Sequence, residues 1–358
     1  MPQAAPADVL IVSLGSTAGL RAADAALAAS LERAGASVEL AAARTPRPAR
    51  TLMLTDLAWA RAAREAARAA IALLPSPPRS LIYSSTTAAC FWPTPGAIRF
   101  DATASGNRPG RHGLWQRPLE RLRLRQAPLL LPWSEGALAE SPIATQQSGR
   151  SVVLPVAVEP SAAPGEHLQG DGARDIAAIT YAANPAKKGL DHVLAAWRRV
   201  RAESPAAAGG ELVVAGASAE QLQLARVAVS EGGEEGVRVV GALEAGEYRA
   251  LLRRARAFVC APRREDYGLA QLEALADGCA LVSTAAPGPY AALPLARELD
   301  ARLVGDDLAR GIRTALEDPL PDYGRRAREL LAPFSTARVD ELVARELLPR
   351  LLGRPLAT

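Results

Sequence analysis

The feature that most constrains this chain is an alternation: mainly apolar runs of three to seven residues, most of them followed by a longer stretch with helical spacing. Such runs are too short for buried helices, and flanking Gly, Pro and Ser mark them as strands. Strands separated by helical segments cannot pair as hairpins, so the pattern predicts parallel βαβ units. In the first half the runs are Val9–Leu14, Ser37–Leu40, Ser80–Tyr83, Ala97–Phe100, Pro128–Leu131 and Val152–Leu154. A Pro-, Gly- and acid-rich stretch without apolar period, Glu159–Gly172, reads as a linker. A second series follows at Asp175–Tyr181, Glu211–Ala215, Val237–Val240, Ala257–Cys260 and Ala280–Ser283. Leu190, Val193, Leu194 and Trp197 fall on one helical face, and a last helix is predicted over Thr336–Leu348.

Length supports two such series. At 358 residues the chain is about twice a single-core domain. Apolar residues make up 49% and aromatics 4%, so two cores are affordable and are built mainly from Ala and Leu. The expected division is an N-terminal Rossmann-like domain over residues 1–160, a C-terminal one over 173–333, and a terminal helix over 334–358 that packs on either. Two doubly wound sheets joined once place a ligand cleft where strand C-termini face each other.

Charge and cysteine usage exclude several classes. The net charge of +4 is mild, and no Lys/Arg tract interleaved with aromatics suggests nucleic acid. Cys90, Cys260 and Cys279 are far apart and form no CxxC, which argues against zinc and against a disulfide framework and fits inert buried thiols in a reducing cytoplasm. No apolar run approaches the roughly 18 residues of a membrane span, and the N-terminus lacks a basic leader. The expectation is a soluble cytoplasmic protein.

The most informative stretch runs from Pro262 to Gly278 and reads PRREDYGLAQLEALADG. It leaves a strand and enters a helix near Gly268. Glu265 then lies in the loop and Glu273 about a turn inside the helix, both facing the cleft. The amides of Gly268 and Leu269 are free at the helix start, where the dipole favours a phosphate. Two glutamates eight apart also occur where they only cap or solvate a helix. A second stretch, Tyr181 to Asp191, reads YAANPAKKGLD and places Lys187 and Lys188 at a helix start. Cations there are unfavourable unless an anion is close by, although a solvent-facing pair is the plain alternative.

Together these stretches resemble retaining GT-B glycosyltransferases, in particular family 4, whose members often read E-G/D-F/Y-G-L-x-x-L-E-A-x-A-x-G. The resemblance implies an α/β GT-B fold of two Rossmann-like parallel-sheet domains facing a cleft, and metal-independent transfer of a sugar from a nucleotide diphosphate donor to an acceptor hydroxyl with retention. It implies that Glu265 contacts the donor sugar, Glu273 the ribose hydroxyls and Lys188 the diphosphate, with Asn184 in the same turn and Gly216 beside the nucleotide pocket. Without a D-x-D motif in a suitable loop, a protein cation must neutralise the leaving group, so no cofactor or metal is expected. The leaving diphosphate is thought to help deprotonate the acceptor in this family, which suits a chain with 3 histidines.

The chain departs from the family where an arginine often stands five positions before the lysine; here the residue is Ala183. Arg263 or Arg264, in the Glu265 loop, is the expected substitute. Gly15 and Ser16 take the place of the glycine-rich loop that abuts the donor in relatives, although tight βα packing accounts for them as well. Between Arg99 and Arg125 stand seven arginines against Asp101 and Glu120, a stretch expected to be a flexible basic loop. Arg108, Arg111 and His112 at its centre are the candidate acceptor ligands, for an anionic glycan or a lipid at the inner face of a membrane; a solvated cationic surface explains them too. Rival readings are a GT-B epimerase or phosphorylase, a dinucleotide oxidoreductase, disfavoured by the missing G-x-G-x-x-G, and a sugar-nucleotide binder without turnover. The donor base, the sugar and the acceptor are not encoded in any of these patterns.

Overall fold

Each series of apolar runs forms a five-stranded, wholly parallel sheet. The computed structural model describes residues 6–143, 149–162, 174–204, 207, 209–224 and 235–353. The chain divides into one unit of Met1–Ala157 with Phe334–Thr358 and a second of Val158–Pro333. From residue 163 onward the expected linker lies outside the described residues.

In the first unit the elements are β1 (Val9–Ser13), α1 (Ala18–Arg33), β2 (Val38–Ala42), α2 (Leu52–Leu73), β3 (Ser80–Tyr83), α3 (Thr86–Ala89), β4 (Ala97–Phe100), α4 (Ala104–Asn107), α5 (Gln116–Gln126), β5 (Leu130–Pro132) and α6 (Glu135–Ala139). The strand order is β2-β1-β3-β4-β5. Leu10, Val12, Leu81, Tyr83, Ile98 and Phe100 face one core, and Val9, Ile11, Ile82, Ala97 and Leu131 the other. The alternation along each strand splits consecutive apolar residues between the two faces, as both-sided burial requires.

The predicted strand Val152–Leu154 is instead an extended segment beside β5. Val152 N–H bonds Leu130 O at 2.9 Å and Leu154 N–H bonds Pro132 O at 2.8 Å. Pro132 has no N–H to return a bond, so a full ladder cannot form. The predicted last helix is present in three parts: Thr336–Leu342, a π turn at Val343–Leu347 and Leu348–Leu352. Pro349 cannot donate to the preceding turn, and a wide turn ahead of such a residue accommodates the loss. Val339, Val343, Leu347 and Leu348 complete the core that holds Val9 and Ile11, and Arg33 Nε meets Asp340 at 2.6 Å.

The basic stretch is not a flexible loop. Arg99 is 2% exposed, lies over the Trp133 ring at 4.7 Å and donates to Asp24 at 3.2 Å. Arg108 grips the buried Asp56 through Nε at 2.6 Å and Nη2 at 3.0 Å. Beyond a single 3-10 turn at Gly110–Gly113, α5 carries the remaining arginines on a helix. Its buried positions are Gln116, Glu120 and Leu124, a face too polar to register as apolar periodicity.

In the second unit the elements begin with β6 (Ile176–Tyr181), α7 (Pro185–Lys188), α8 (Leu190–Glu203) and β7 (Leu212–Ala215). After the helix Ala219–Leu224 come β8 (Val237–Gly241), the helix Ala245–Arg254, β9 (Ala255–Cys260), the helix Leu269–Ala276 and β10 (Ala280–Ser283). The order is β10-β9-β6-β7-β8, so the winding reverses between β6 and β9. Trp197, 1% exposed on α8, anchors the helical layer and donates its ring N–H to Gly236 O at 2.8 Å. All three cysteines are free and buried. Burial raises each thiol pKa, which keeps them protonated and poor nucleophiles. Among the described residues no helix is long and apolar enough to cross a membrane.

Burial also pushes the Glu120 carboxyl up to about 7, against hydrogen bonds from Thr86 and Ala104 N–H. A raised carboxyl pKa means that the folded state holds its proton more tightly than the unfolded state. Its stabilising effect is therefore complete at low pH and declines as pH rises from 4.5 towards 7. Glu120→Gln is expected to remove this decline, up to roughly 3 kcal/mol. Thermal midpoints between pH 5 and 8 should fall less steeply in the variant; equal slopes would refute the assignment.

Candidate functional site

Neighbouring strands that wind in opposite directions leave a crevice at their carboxyl ends, and in the second unit those strands are β6 and β9. After β6 the chain turns through Asn184, whose Oδ1 accepts from Lys187 N–H at 3.0 Å and caps α7. Pro185 begins this single turn and Gly189 ends it in a left-handed conformation at φ 63°. A Cβ on Gly189 would lie 1.9 Å from Ala261 O, just beyond β9. Only glycine allows the two loops to approach so closely. Lys187 O then accepts from Arg263 N–H at 3.0 Å, which stitches them together.

The loop after β10 pins the other side. Glu265 N–H donates to Pro287 O at 3.0 Å, and a Cβ on Gly288 would lie 2.2 Å from Glu265 O. Backbone on both flanks thus fixes Glu265. Its side chain meets Lys188, with Nζ 2.7 Å from Oε2, at 22% and 7% side-chain exposure. Gln271 Nε2 donates to the same Oε2 at 3.0 Å. Residues 77 apart in sequence form an ion pair that is sequestered from water yet reachable at the lysine end. Gly268, at φ 90°, starts the helix Leu269–Ala276, and a Cβ there would lie 2.7 Å from the Tyr290 ring; the helix start lies three residues beyond Glu265.

A second pair lies alongside. Lys187 Nζ is 2.9 Å from Asp266, and Arg264 Nε is 2.9 Å from its other oxygen. Burial opposes the Asp266 carboxylate, but both cations outweigh it and hold its pKa below the ordinary value. Arg263 is 57% exposed and turns to Asp191 at 3.0 Å and Ala186 O at 3.1 Å. Both arginines expected to replace the family cation at Ala183 therefore already hold a carboxylate.

Glu273 sits on the same helix as Gln271, half-buried. Burial raises its pKa, Arg249 opposes this and Asp277 adds to it. Its charge is felt by Tyr181 and by Tyr248, whose rings meet at 5.2 Å. Gly216, at φ 85°, packs against the Tyr181 ring, where a Cβ would approach to 2.8 Å. Tyr181 thus packs between Tyr248 and Gly216 at the ends of β6 and β7, within reach of the Glu273 charge.

The remaining expected ligands belong to the first unit. Gly15, at φ 55°, and Ser16 follow β1; Arg21 Nη1 holds Gly15 O at 2.8 Å, and Thr17 caps α1. Arg111 and His112 are exposed on the 3-10 turn, whereas Arg108 is tied to Asp56 beneath it. The role of Gln271 carried no signal in the sequence, because a lone polar residue in an apolar helix acquires its partner only through the fold.

Comparison with known proteins follows the same division. A search of curated proteins by sequence gives no match. Residues 173–329 match the family described as Glycosyl transferases group 1. Sucrose-phosphate synthase from Thermosynechococcus elongatus superposes with a TM-score of 0.72 at 17% identity, covering 96% of this chain and 98% of that one. WaaG, a glycosyltransferase involved in lipopolysaccharide biosynthesis, gives 0.65 at 14% identity, covering 94% and 98%. Anabaena HepE, in complex with UDP and glucose, gives 0.62 at 14%, covering 95% and 98%. The chain thus has the two-domain α/β fold of GT-B glycosyltransferases, and its segment 173–329 is similar to glycosyl transferases group 1.

Proposed function

We propose that this protein is a metal-independent, retaining glycosyltransferase that moves a sugar from a nucleotide diphosphate donor to an acceptor hydroxyl. The observation that carries the reading is the Lys188–Glu265 pair at 2.7 Å, at the winding reversal of a group 1 segment. Breaking the sugar–phosphate bond builds negative charge on the departing diphosphate and positive charge on the ring. A lysine and a carboxylate, adjacent and shielded from water, match that separation of charge.

In this reading Lys188 leaves Glu265 for the diphosphate, whose oxygens also receive amides of Gly268 and Leu269 at the helix start. Glu265, released, faces the sugar as it gains oxocarbenium character. Glu273 accepts the ribose hydroxyls beside Tyr181, Tyr248 and Gly216, and Asn184 fixes the lysine turn. Arg263 and Arg264 supply the charge missing at Ala183 by sharing themselves between phosphate and their own carboxylates. The leaving diphosphate takes the acceptor proton, so no histidine is needed for that step.

The acceptor is an anionic glycan or lipid, met by Arg111 and His112 on the exposed turn, with Arg108 anchoring that turn to Asp56. Leu114 and Leu122, 62% and 47% exposed on the same segment, add apolar surface suited to an acceptor at the inner face of a membrane. The protein acts in the cytoplasm. A binder without turnover is the second reading, favoured by Ala183; release of free sugar from the donor separates the two.

Thermal-shift titration against UDP-, GDP-, ADP- and TDP-sugars should single out one base, since ligand at 100 times its dissociation constant adds roughly 2.7 kcal/mol of stability. A flat response to all four would remove the reading. With the donor so identified, Lys188→Ala and Glu265→Gln should each lower turnover roughly 100- to 1,000-fold. Glu273→Gln should mainly weaken donor binding. Turnover should survive EDTA and give a product of unchanged anomeric configuration by NMR; loss in EDTA or inversion would contradict the mechanism.

A further inference from the structure

Among the described residues the Glu265 carboxylate has two donors, and both serve one oxygen. Lys188 Nζ and Gln271 Nε2 lie 2.7 and 3.0 Å from Oε2. This leaves the acceptor capacity of Oε1 for a substrate. The two donors differ in what they are free to do. Lys188 is 22% exposed and rides on a single helical turn. Gln271 is 2% exposed, inside the helix Leu269–Ala276, with Cys260 Sγ at 3.8 Å behind its amide. Cys260 is in turn within 3.4 Å of Ser283 Oγ and 3.5 Å of Tyr290 Oη, so the amide rests on a buried polar cluster.

A glutamine is a costly choice here. Its Oε1 is buried and has no hydrogen-bond partner among the described residues. An unsatisfied buried amide oxygen weakens the fold, and an apolar residue of the same size would avoid that cost. A polar residue that costs stability at the back of a carboxylate suits a role in the site rather than in the core.

We infer that Gln271 is a positioning residue, holding the Glu265 carboxylate in place after Lys188 has moved to the donor diphosphate. This rests on the function proposed above. With Lys188 drawn away, Glu265 loses its charged partner at the moment its orientation matters. The Gln271 N–H is then the protein hydrogen bond that keeps Oε2 fixed and Oε1 turned to the sugar. Because Gln271 touches neither nucleotide nor ring, its loss should act on turnover and not on nucleotide affinity.

The experiment compares Gln271→Met, which keeps volume and removes the donor, with the native chain. Turnover with the donor found by thermal shift should fall roughly 10- to 100-fold. The dissociation constant for the bare nucleoside diphosphate should stay within about twofold, and the thermal midpoint should hold or rise. Gln271→Glu is the second variant: its carboxyl meets Glu265 with Lys188 on the other side of Oε2, so turnover should be lost at neutral pH and partly regained in acid, when one carboxyl carries a proton and donates it. Turnover of Gln271→Met within twofold of native, or nucleotide affinity falling in step with turnover, would overturn the inference. So would a Gln271→Glu profile parallel to native. If the native chain itself binds no nucleotide, the function and this inference fail together; if it turns over and Gln271→Met does too, only the inference fails.

Discussion

A parallel sheet whose winding reverses must leave two strand ends side by side with no crossover helix covering them, and here those ends are β6 and β9. Much of the site follows from this neighbourhood. It puts a turn carrying two lysines against a loop carrying Glu265 and Asp266, and two glycines make the approach possible. Gly189 lets the lysine turn meet Ala261 O, and Gly288 lets the loop after β10 meet Glu265 O. The charges then pair in register, Lys188 with Glu265 and Lys187 with Asp266. Removing either glycine would separate charges that attract only at short range.

The pairing also balances the charge of the two lysines, of which the proposed function assigns Lys188 to an anion. Two clustered cations in a half-buried crevice repel one another, and each carboxylate offsets that repulsion. A partly buried ion pair contributes little net stability, because desolvation cancels most of the attraction. In the proposed function this small net contribution lets the lysine pass to the donor diphosphate at low cost. Arg263 and Arg264 follow the same rule, each resting on a carboxylate of its own.

The second unit was largely legible in the sequence. Its strands are mostly apolar runs, broken by charge only at Arg238 and Arg256, and the residues from Pro262 to Gly278 carry a local spacing that needs no tertiary knowledge. The first unit was less so. The helix α2 buries Ala60, Ala63 and Ala67, side chains too small to mark a face, and α5 buries Gln116 and Glu120. Arginines that read as a basic loop proved partly internal: Arg99 stacks on Trp133, and Arg108 is clamped by Asp56. Charge in a sequence reports composition; whether it is surface or strut depends on a carboxylate far away along the chain. Gln271 belongs to the same class, invisible until the fold places Glu265 beside it.

The most direct test of the central claim is a crystal structure of the chain with the nucleoside diphosphate it binds. Lys188 Nζ should have left Glu265 Oε2 and lie within hydrogen-bond distance of a β-phosphate oxygen, with Gln271 still on Glu265. A bound nucleotide with the Lys188–Glu265 pair intact and the phosphates elsewhere would contradict the account.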